Sequence, residues 1–470
     1  MSPEVDAVLA RLIPYPEDGS RADGPVAVDA TDRLLLDEAA ALIEQDPSGV
    51  VVIGDRFGAL TLGALALGAD GVRGHQDAIT AEAALSANSA LASKDLWDGH
   101  ARAAANAPVP QEPGPLGLTG YDKFEPNLLK GARLVLLQLP ASLAELTEIA
   151  EHVARYADPA VTLLAGGRVK HMTHAMNDVL SASFAQVSAS LARQKSRLLI
   201  AREPRSDVGP LTYPVTARLT DREILAAIAP RGDNPAQPTP AGLTVVAHGA
   251  AFAGATLDHG TRFLLAQAHR WPDLSDAQVS PAASTAETQA APGATDTPST
   301  PIPGMDAHPV AVDLGCGTGI LATVLALRFP DAHVLATDRS AAACASAAAT
   351  LAANGVGPRR TADGVLHTVV RGDAGDLLPI PDGSADLVLL NPPFHDRAAL
   401  STDAAHRMFA AAGRILRDGG ELWTVFNTGL HYRPALERAV GPTEHIAQDR
   451  KFTVVRSLRR PLTVPPEVRG

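Results

Sequence analysis

The stretch Val310-Ala311-Val312-Asp313-Leu314-Gly315-Cys316-Gly317-Thr318-Gly319-Ile320 decides how the C-terminal half of this chain folds. Its first five residues, apolar around a single acid, read as a short buried strand, and the apolar run Ile320–Arg328 reads as a helix. The glycines between them permit a sharp strand-to-helix turn and let a ligand approach the backbone without meeting Cβ atoms. Downstream, 333–337, 365–370, 386–390, 421–426 and Phe452–Leu458 read as strands, while Ala341–Ala353, 403–416 and 431–440 read as helices. Such alternation predicts an α/β fold: a doubly wound, mostly parallel seven-stranded Rossmann-like sheet with ligands at the C-terminal strand ends.

The N-terminal half holds a faded copy of the same start. Val51-Val52-Ile53-Gly54-Asp55-Arg56-Phe57-Gly58-Ala59-Leu60 aligns with Val312 to Leu321 at a constant offset, and at that offset Asp77 falls under Asp338. Val52 stands in place of Asp313, and Arg56 in place of Gly317, where a long side chain fills the space a cofactor needs. The expectation is two tandem Rossmann-like domains: a degenerate one over 1–205 and a catalytic one over 206–470. The segment 272–308, rich in Ala, Pro, Ser and Thr and without an aromatic residue, is expected to be a disordered insert. Shorter breaks fall at 107–120 and 231–242.

At 470 residues the chain is too long for one ordinary core. No apolar run approaches the roughly 18 residues that span a bilayer. The acidic start Met1-Ser2-Pro3-Glu4-Val5-Asp6 lacks the features of a secretory signal, so a cytoplasmic protein away from membranes is expected, acting as a monomer. Cys316 and Cys344 form no CxxC pair and read as small buried hydrophobes. His171 and His174 have no carboxylate at ligand spacing, so no metal is expected.

A net charge of −12 argues against a protein that coats nucleic acid non-specifically. The charge is uneven, however. Residues 166–206 carry Arg168, Lys170, Arg193, Lys195, Arg197, Arg202 and Arg205 against Asp178 and Glu203. The tail from 447 carries Arg450, Lys451, Arg456, Arg459, Arg460 and Arg469 against Asp449 and Glu467. Two basic patches on an acidic body suit a selective RNA enzyme.

Gly315, Gly317 and Gly319 form the candidate cofactor turn. Asp338 ends the second strand, where a carboxylate can accept both hydroxyl protons of a ribose. To this point a nicotinamide enzyme fits as well. The GxGxG spacing and the acid at Asp313 turn the reading toward S-adenosylmethionine. Asp373, after the third strand, is a candidate acceptor for the adenine amine. Asn391-Pro392-Pro393-Phe394 then selects the chemistry, because it follows the fourth strand, which lies beside the first. Two prolines stiffen the loop, so the Asn391 amide oxygen and a main-chain carbonyl can hold an exocyclic NH2 with its lone pair toward a methyl donor. No strong base is needed before attack, because the proton leaves once the nitrogen is cationic. Phe394 offers a stacking face worth roughly 1–3 kcal/mol, which offsets part of the cost of unstacking a base.

These residues resemble the bacterial rRNA guanine-N2 methyltransferases. The resemblance rests on Val312 to Gly319, Leu351-Ala352-Ala353-Asn354-Gly355-Val356, Asn391-Pro392-Pro393-Phe394-His395-Asp396, Asp403-Ala404-Ala405, Gly419-Gly420-Glu421-Leu422, Asn427 with Tyr432, and Lys451-Phe452. Ahead of the insert, Leu257-Asp258-His259-Gly260-Thr261-Arg262 matches the family's helix start. Leu139-Pro140 and Gly167-Arg168-Val169-Lys170-His171 extend it faintly over the N-terminal half. The resemblance implies contacts of Gly315, Gly317 and Gly319 with S-adenosylmethionine, of Asp338 with its ribose and of Asp373 with its adenine. It implies that Asn391, Pro392 and Phe394 hold the target base; Pro393 completes that loop, and Asp313 and Asn391 count among the cofactor residues. It also implies a cofactor-free N-terminal domain that binds or supports RNA, and rRNA or a ribosomal subunit as substrate. Two further readings stay open: methylation of a protein glutamine or of adenine N6, and a non-catalytic RNA-binding module.

Overall fold

The computed structural model describes residues 3–15, 24–103, 117–207, 209–229, 241–274, 308–358, 360–361, 364–365, 367–375, 378–393 and 398–461. They form two compact units, with the main boundary at Pro214–Val215. Most of the predicted insert, 275–307, lies outside the described residues.

In the first unit, strands β1 (Val50–Ile53), β2 (Val72–His75), β3 (Leu118–Tyr121), β4 (Leu134–Gln138), β5 (Thr162–Arg168), β6 (Phe184–Ala189) and β7 (Ser196–Pro204) form one sheet of order 3-2-1-4-5-7-6. The first five run parallel, and β7 lies antiparallel between β5 and β6. Helix α1 (Ala30–Gln45) starts at the capping residue Asp29, and α2 (Ala59–Ala66) follows the turn after β1. Alternate residues of β1 face two separate cores: Val50 and Val52 join one, Val51 and Ile53 the other. A strand buried on both faces reads as a continuous apolar run, which is why Val-Val-Val-Ile forms one.

The second unit opens with an antiparallel pair, β8 (Val215–Leu219) and β9 (Leu243–Ala247), and the short helix α3 (His259–Leu265). Its sheet comprises β10 (Val310–Leu314), β11 (His333–Asp338), β12 (His367–Arg371), β13 (Ala385–Leu390), β14 (Leu416–Asn427), β15 (Thr443–Gln448) and β16 (Phe452–Leu458). The order is β12-β11-β10-β13-β14-β16-β15, which repeats the topology of the first unit strand for strand. Helices α4 (Ile320–Arg328), α5 (Ala341–Ala353) and α6 (Ala398–Ile415) complete it. Every residue of β13 is buried, each Val or Leu contributing about 1.5–3 kcal/mol, so the position of Asn391 at its end is firmly fixed. At the end of α5, Asn354 Oδ1 accepts from Thr244 N at 2.9 Å while its Nδ2 donates to Thr244 O at 2.7 Å. Thr350 Oγ1 likewise meets Val246 N at 3.0 Å. Asn354, one of the residues behind the family resemblance, thus closes the free edge of β9.

The predicted fold class is observed in both halves, with local differences. The break at 107–120 ends in the edge strand β3, whose polar Leu118-Thr119-Gly120-Tyr121 lacks an apolar pattern. Strand β15 was not anticipated either, because its Thr443-Glu444-His445 start is that of a half-exposed edge. Helix α6 begins five residues earlier than 403. The alignment of Asp77 with Asp338 does not hold. Gly54 N donates to His75 O and Gly315 N to Thr337 O, while Ile53 pairs with His75 and Leu314 with Thr337. Gln76 therefore occupies the place of Asp338, since the path from helix start to second strand is one residue shorter in the first unit.

Candidate active site

The glycine turn joins β10 to α4. Gly319 has φ 76°, and a Cβ there would lie 2.7 Å from Ala347 Cα, so the turn packs flush on α5. Gly317, at φ 51°, is different: a Cβ would meet nothing within 4 Å. Its outer side is open, which is the clearance a bound cofactor requires. Gly317 N donates to Asp338 Oδ2 at 3.0 Å, so the turn fixes the acid at the end of β11.

Asp313, a candidate cofactor residue, is engaged within the fold. It is 1% exposed, and its Oδ2 accepts the Ala322 N–H of α4 at 2.8 Å. Burial pushes its carboxyl up to about 7, against the pull of that N–H. The carboxylate secures the helix start from beneath the turn. Asp373 lies just beyond β12, whose Arg371 pairs with Asp338. Its Oδ2 accepts from Gly375 N at 3.0 Å, a turn-forming bond within its own loop.

Strand β13 lies parallel to β10 with Leu390 beside Leu314, so Asn391 emerges next to the glycine turn. Asn391 Nδ2 donates to Asp258 Oδ2 at 2.9 Å and to Thr261 Oγ1 at 3.0 Å, both from the start of α3. Its Oδ1 is buried and has no hydrogen-bond partner among the described residues. A buried acceptor left unpaired costs about 1–3 kcal/mol, a cost that an amine-bearing ligand would remove. Pro392 is buried and Pro393 exposed. Phe394, His395 and Asp396 lie outside the described residues. In sequence, Asp258 and Thr261 belong to the family resemblance without a role of their own. The legible signal was the Asp-x-x-Thr helix start.

Cys316 is buried and Cys344 partly so, and neither forms a disulfide among the described residues; burial pushes the Cys316 thiol up. Among the described residues no group of three His, Cys, Asp or Glu could hold a metal ion, and no helix is long and apolar enough to cross a membrane. Of the basic segment, Lys170, Lys195, Arg202 and Arg205 are exposed, whereas Arg193 pairs with Asp37 at 2.9 Å. In the tail, Arg456 is held by Glu421 and Glu444.

Residues 303–456 match the family described as methyltransferase small domain, and residues 8–112 and 121–205 match the RLMG N-terminal domain. The ribosomal RNA large subunit methyltransferase G of Streptomyces avermitilis is 31% identical over 460 residues, covering 96% of this chain and 97% of that protein. The protein of the same name from Streptomyces coelicolor is 30% identical over 466 residues, covering 97% and 99%. A solved structure of the T. thermophilus 16S rRNA N2 G1207 methyltransferase, in complex with AdoMet and guanosine, shares the fold at TM-score 0.61 and 19% identity, covering 96% of this chain and 99% of that one. The full-length match at this identity, over two sheets of one topology, means that the chain belongs to the ribosomal RNA large subunit methyltransferase G family.

Proposed function

We propose that this chain methylates the exocyclic N2 of a guanine in large-subunit rRNA, using S-adenosylmethionine. One observation carries the reading: Asn391 keeps a buried, unpartnered Oδ1 at the strand end beside the open glycine turn. The choice of large-subunit rRNA follows the name of the relatives.

Bound S-adenosylmethionine supplies an electrophilic methyl group on a sulfonium. Gly317 would leave room for it, Asp338 would accept from its ribose and Asp373 from its adenine. Asn391 Oδ1 and the Pro392 carbonyl accept the two N2 protons and turn the lone pair toward the methyl carbon. Pro392 and Pro393 keep those two acceptors at a fixed spacing. The proton leaves after the nitrogen has become cationic, so water suffices to take it. Phe394 supplies the stacking face for the flipped base. The domain over 206–470 performs this chemistry. The domain over 1–205 supports rRNA binding, for which the exposed Lys170, Lys195, Arg202 and Arg205 are available.

Mapping of N2-methylguanosine by mass spectrometry, in rRNA from cells with and without the protein, tests the proposal. One modified guanine in the large subunit should disappear without the protein. Unchanged rRNA would overturn the reading, and loss of a small-subunit guanine would overturn its choice of substrate.

A further inference from the structure

Resting on the methyl-transfer reading above, we infer that Asp258 is the positioning residue that turns the Asn391 carboxamide so that its oxygen, not its nitrogen, faces the substrate amine. The two ends of a carboxamide have nearly the same shape, so orientation must come from the hydrogen-bond network. A carboxylate only accepts. Asp258 Oδ2, 2.9 Å from Asn391 Nδ2, therefore admits the NH2 end and repels the oxygen. Without it the amide could rotate and present a donor to an amine that is itself a donor.

Three features make this more than a chance contact. Asp258 is itself immobilised, because the same Oδ2 accepts from Gly260 N at 2.9 Å and Thr261 N at 3.1 Å. A side chain at residue 260 would interfere with Oδ1: a Cβ there would stand 2.9 Å from it, so glycine keeps that flank clear. The tether also recurs in the first unit. Strand register places Gln138 at the position of Asn391, since Leu136 pairs with Val52 as Leu389 pairs with Asp313. Gln138 Nε2 donates to Asp32, in the first turn of α1 as Thr261 is in that of α3. Both halves thus tie the amide at the end of the fourth strand to an acid at a helix start.

Substitution at residue 258 separates capping from positioning. Serine caps a helix about as well as aspartate but is one atom too short to reach Asn391 Nδ2. Asp258→Ser should keep the melting temperature and the calorimetric affinity for S-adenosylmethionine. Its kcat on rRNA should fall about 10- to 100-fold with KM little changed, the usual scale for a reactant misplaced by about 1 Å. Asp258→Asn, which keeps an acceptor at the right reach, should recover at least ten-fold of a 100-fold loss, in proportion for smaller losses. The double variant Asp258→Ser with Asn391→Ala should be no slower than Asn391→Ala alone, because the two act as one unit. A normal kcat in Asp258→Ser, or an Asp258→Asn variant no faster than Asp258→Ser, would overturn the positioning role. If Asn391→Ala itself turns over normally, the methyl-transfer geometry fails, and the inference with it.

Discussion

The two glycine turns show how one fold can build the same strand-to-helix connection in two ways. Gly54 and Gly315 have φ of 76° and 81°, and Gly58 and Gly319 both start their helices in the left-handed region. The same helix amide needs an acceptor in each half: Thr61 N in the first unit, Ala322 N in the second. In the second unit, Asp313 reaches it from within the strand, and the turn stays open. In the first, Val52 cannot, and Asp55 serves instead from inside the turn, accepting from Gly58 N at 3.0 Å and Thr61 N at 2.8 Å. Burial raises the Asp55 carboxyl as it does that of Asp313. Helix support is thus conserved between the halves, while Arg56, Gln76 and Gln138 replace Gly317, Asp338 and Asn391. The support of the helix start is kept in both halves, and the residues at the turn and the strand ends are not.

The sharpest way to break this comparison is at the paired amides. Asn391→Ala should cost about 10³-fold in methyl transfer, the upper scale for removing one preorganised polar contact, with S-adenosylmethionine affinity by calorimetry within about three-fold of the parent. Gln138→Ala should leave kcat within about two-fold of the parent if its half carries no chemistry. Comparable losses at both positions would mean that both halves act on substrate.

The turn provides the next test. Gly317→Arg, which copies Arg56 into the second unit, should abolish the calorimetric signal of S-adenosylmethionine binding. Arg56→Gly should leave a stoichiometry of one, because Asp55 still fills its turn and Gln76 stands where an acid is needed. A second equivalent of bound ligand would show that a single side chain had silenced the first site.

The smallest effect concerns Asp313. Its folded carboxyl titrates near 7, above the ordinary 3.8, so folding takes up a proton between those values. The stability it contributes is therefore present below about pH 4 and lost as pH rises through 7. Asp313→Asn keeps an acceptor for Ala322 N and removes that titration. Denaturant midpoints should fall less between pH 5 and pH 8 in the variant than in the parent. An unchanged slope would place the carboxyl in a wetter setting than its burial indicates.

Much of the second unit was legible because its strands are buried on both faces and so write themselves as apolar runs. Val310–Leu314 and Phe452–Leu458 are strands over their full predicted spans. Edge strands such as Leu118–Tyr121 escaped because half-exposed backbone needs no apolar pattern. The one-residue slip at Gln76 escaped because a constant offset cannot detect a shortened connection that only hydrogen-bond register reveals. Asn391 was legible through its prolines and its place after β13. The contact with Asp258 spans 133 residues, a distance over which no spacing rule operates. The bond of Asp313 to the helix start is equally hidden from spacing, because strand alternation turns its side chain beneath the helix.

The Asn354 clamp on β9 has a consequence for the life of this protein in a crowded cell. A two-stranded ribbon is marginal on its own, and an open strand edge is a template for pairing with another chain. The outward-facing amide and carbonyl of Thr244 meet both ends of one carboxamide, and those of Val246 meet the Thr350 hydroxyl. The edge is sealed by side chains of a helix, so no further strand is required and none is invited. Asn354 thereby leaves neither backbone group of Thr244 open to an incoming strand, at a point remote from the glycine turn in sequence.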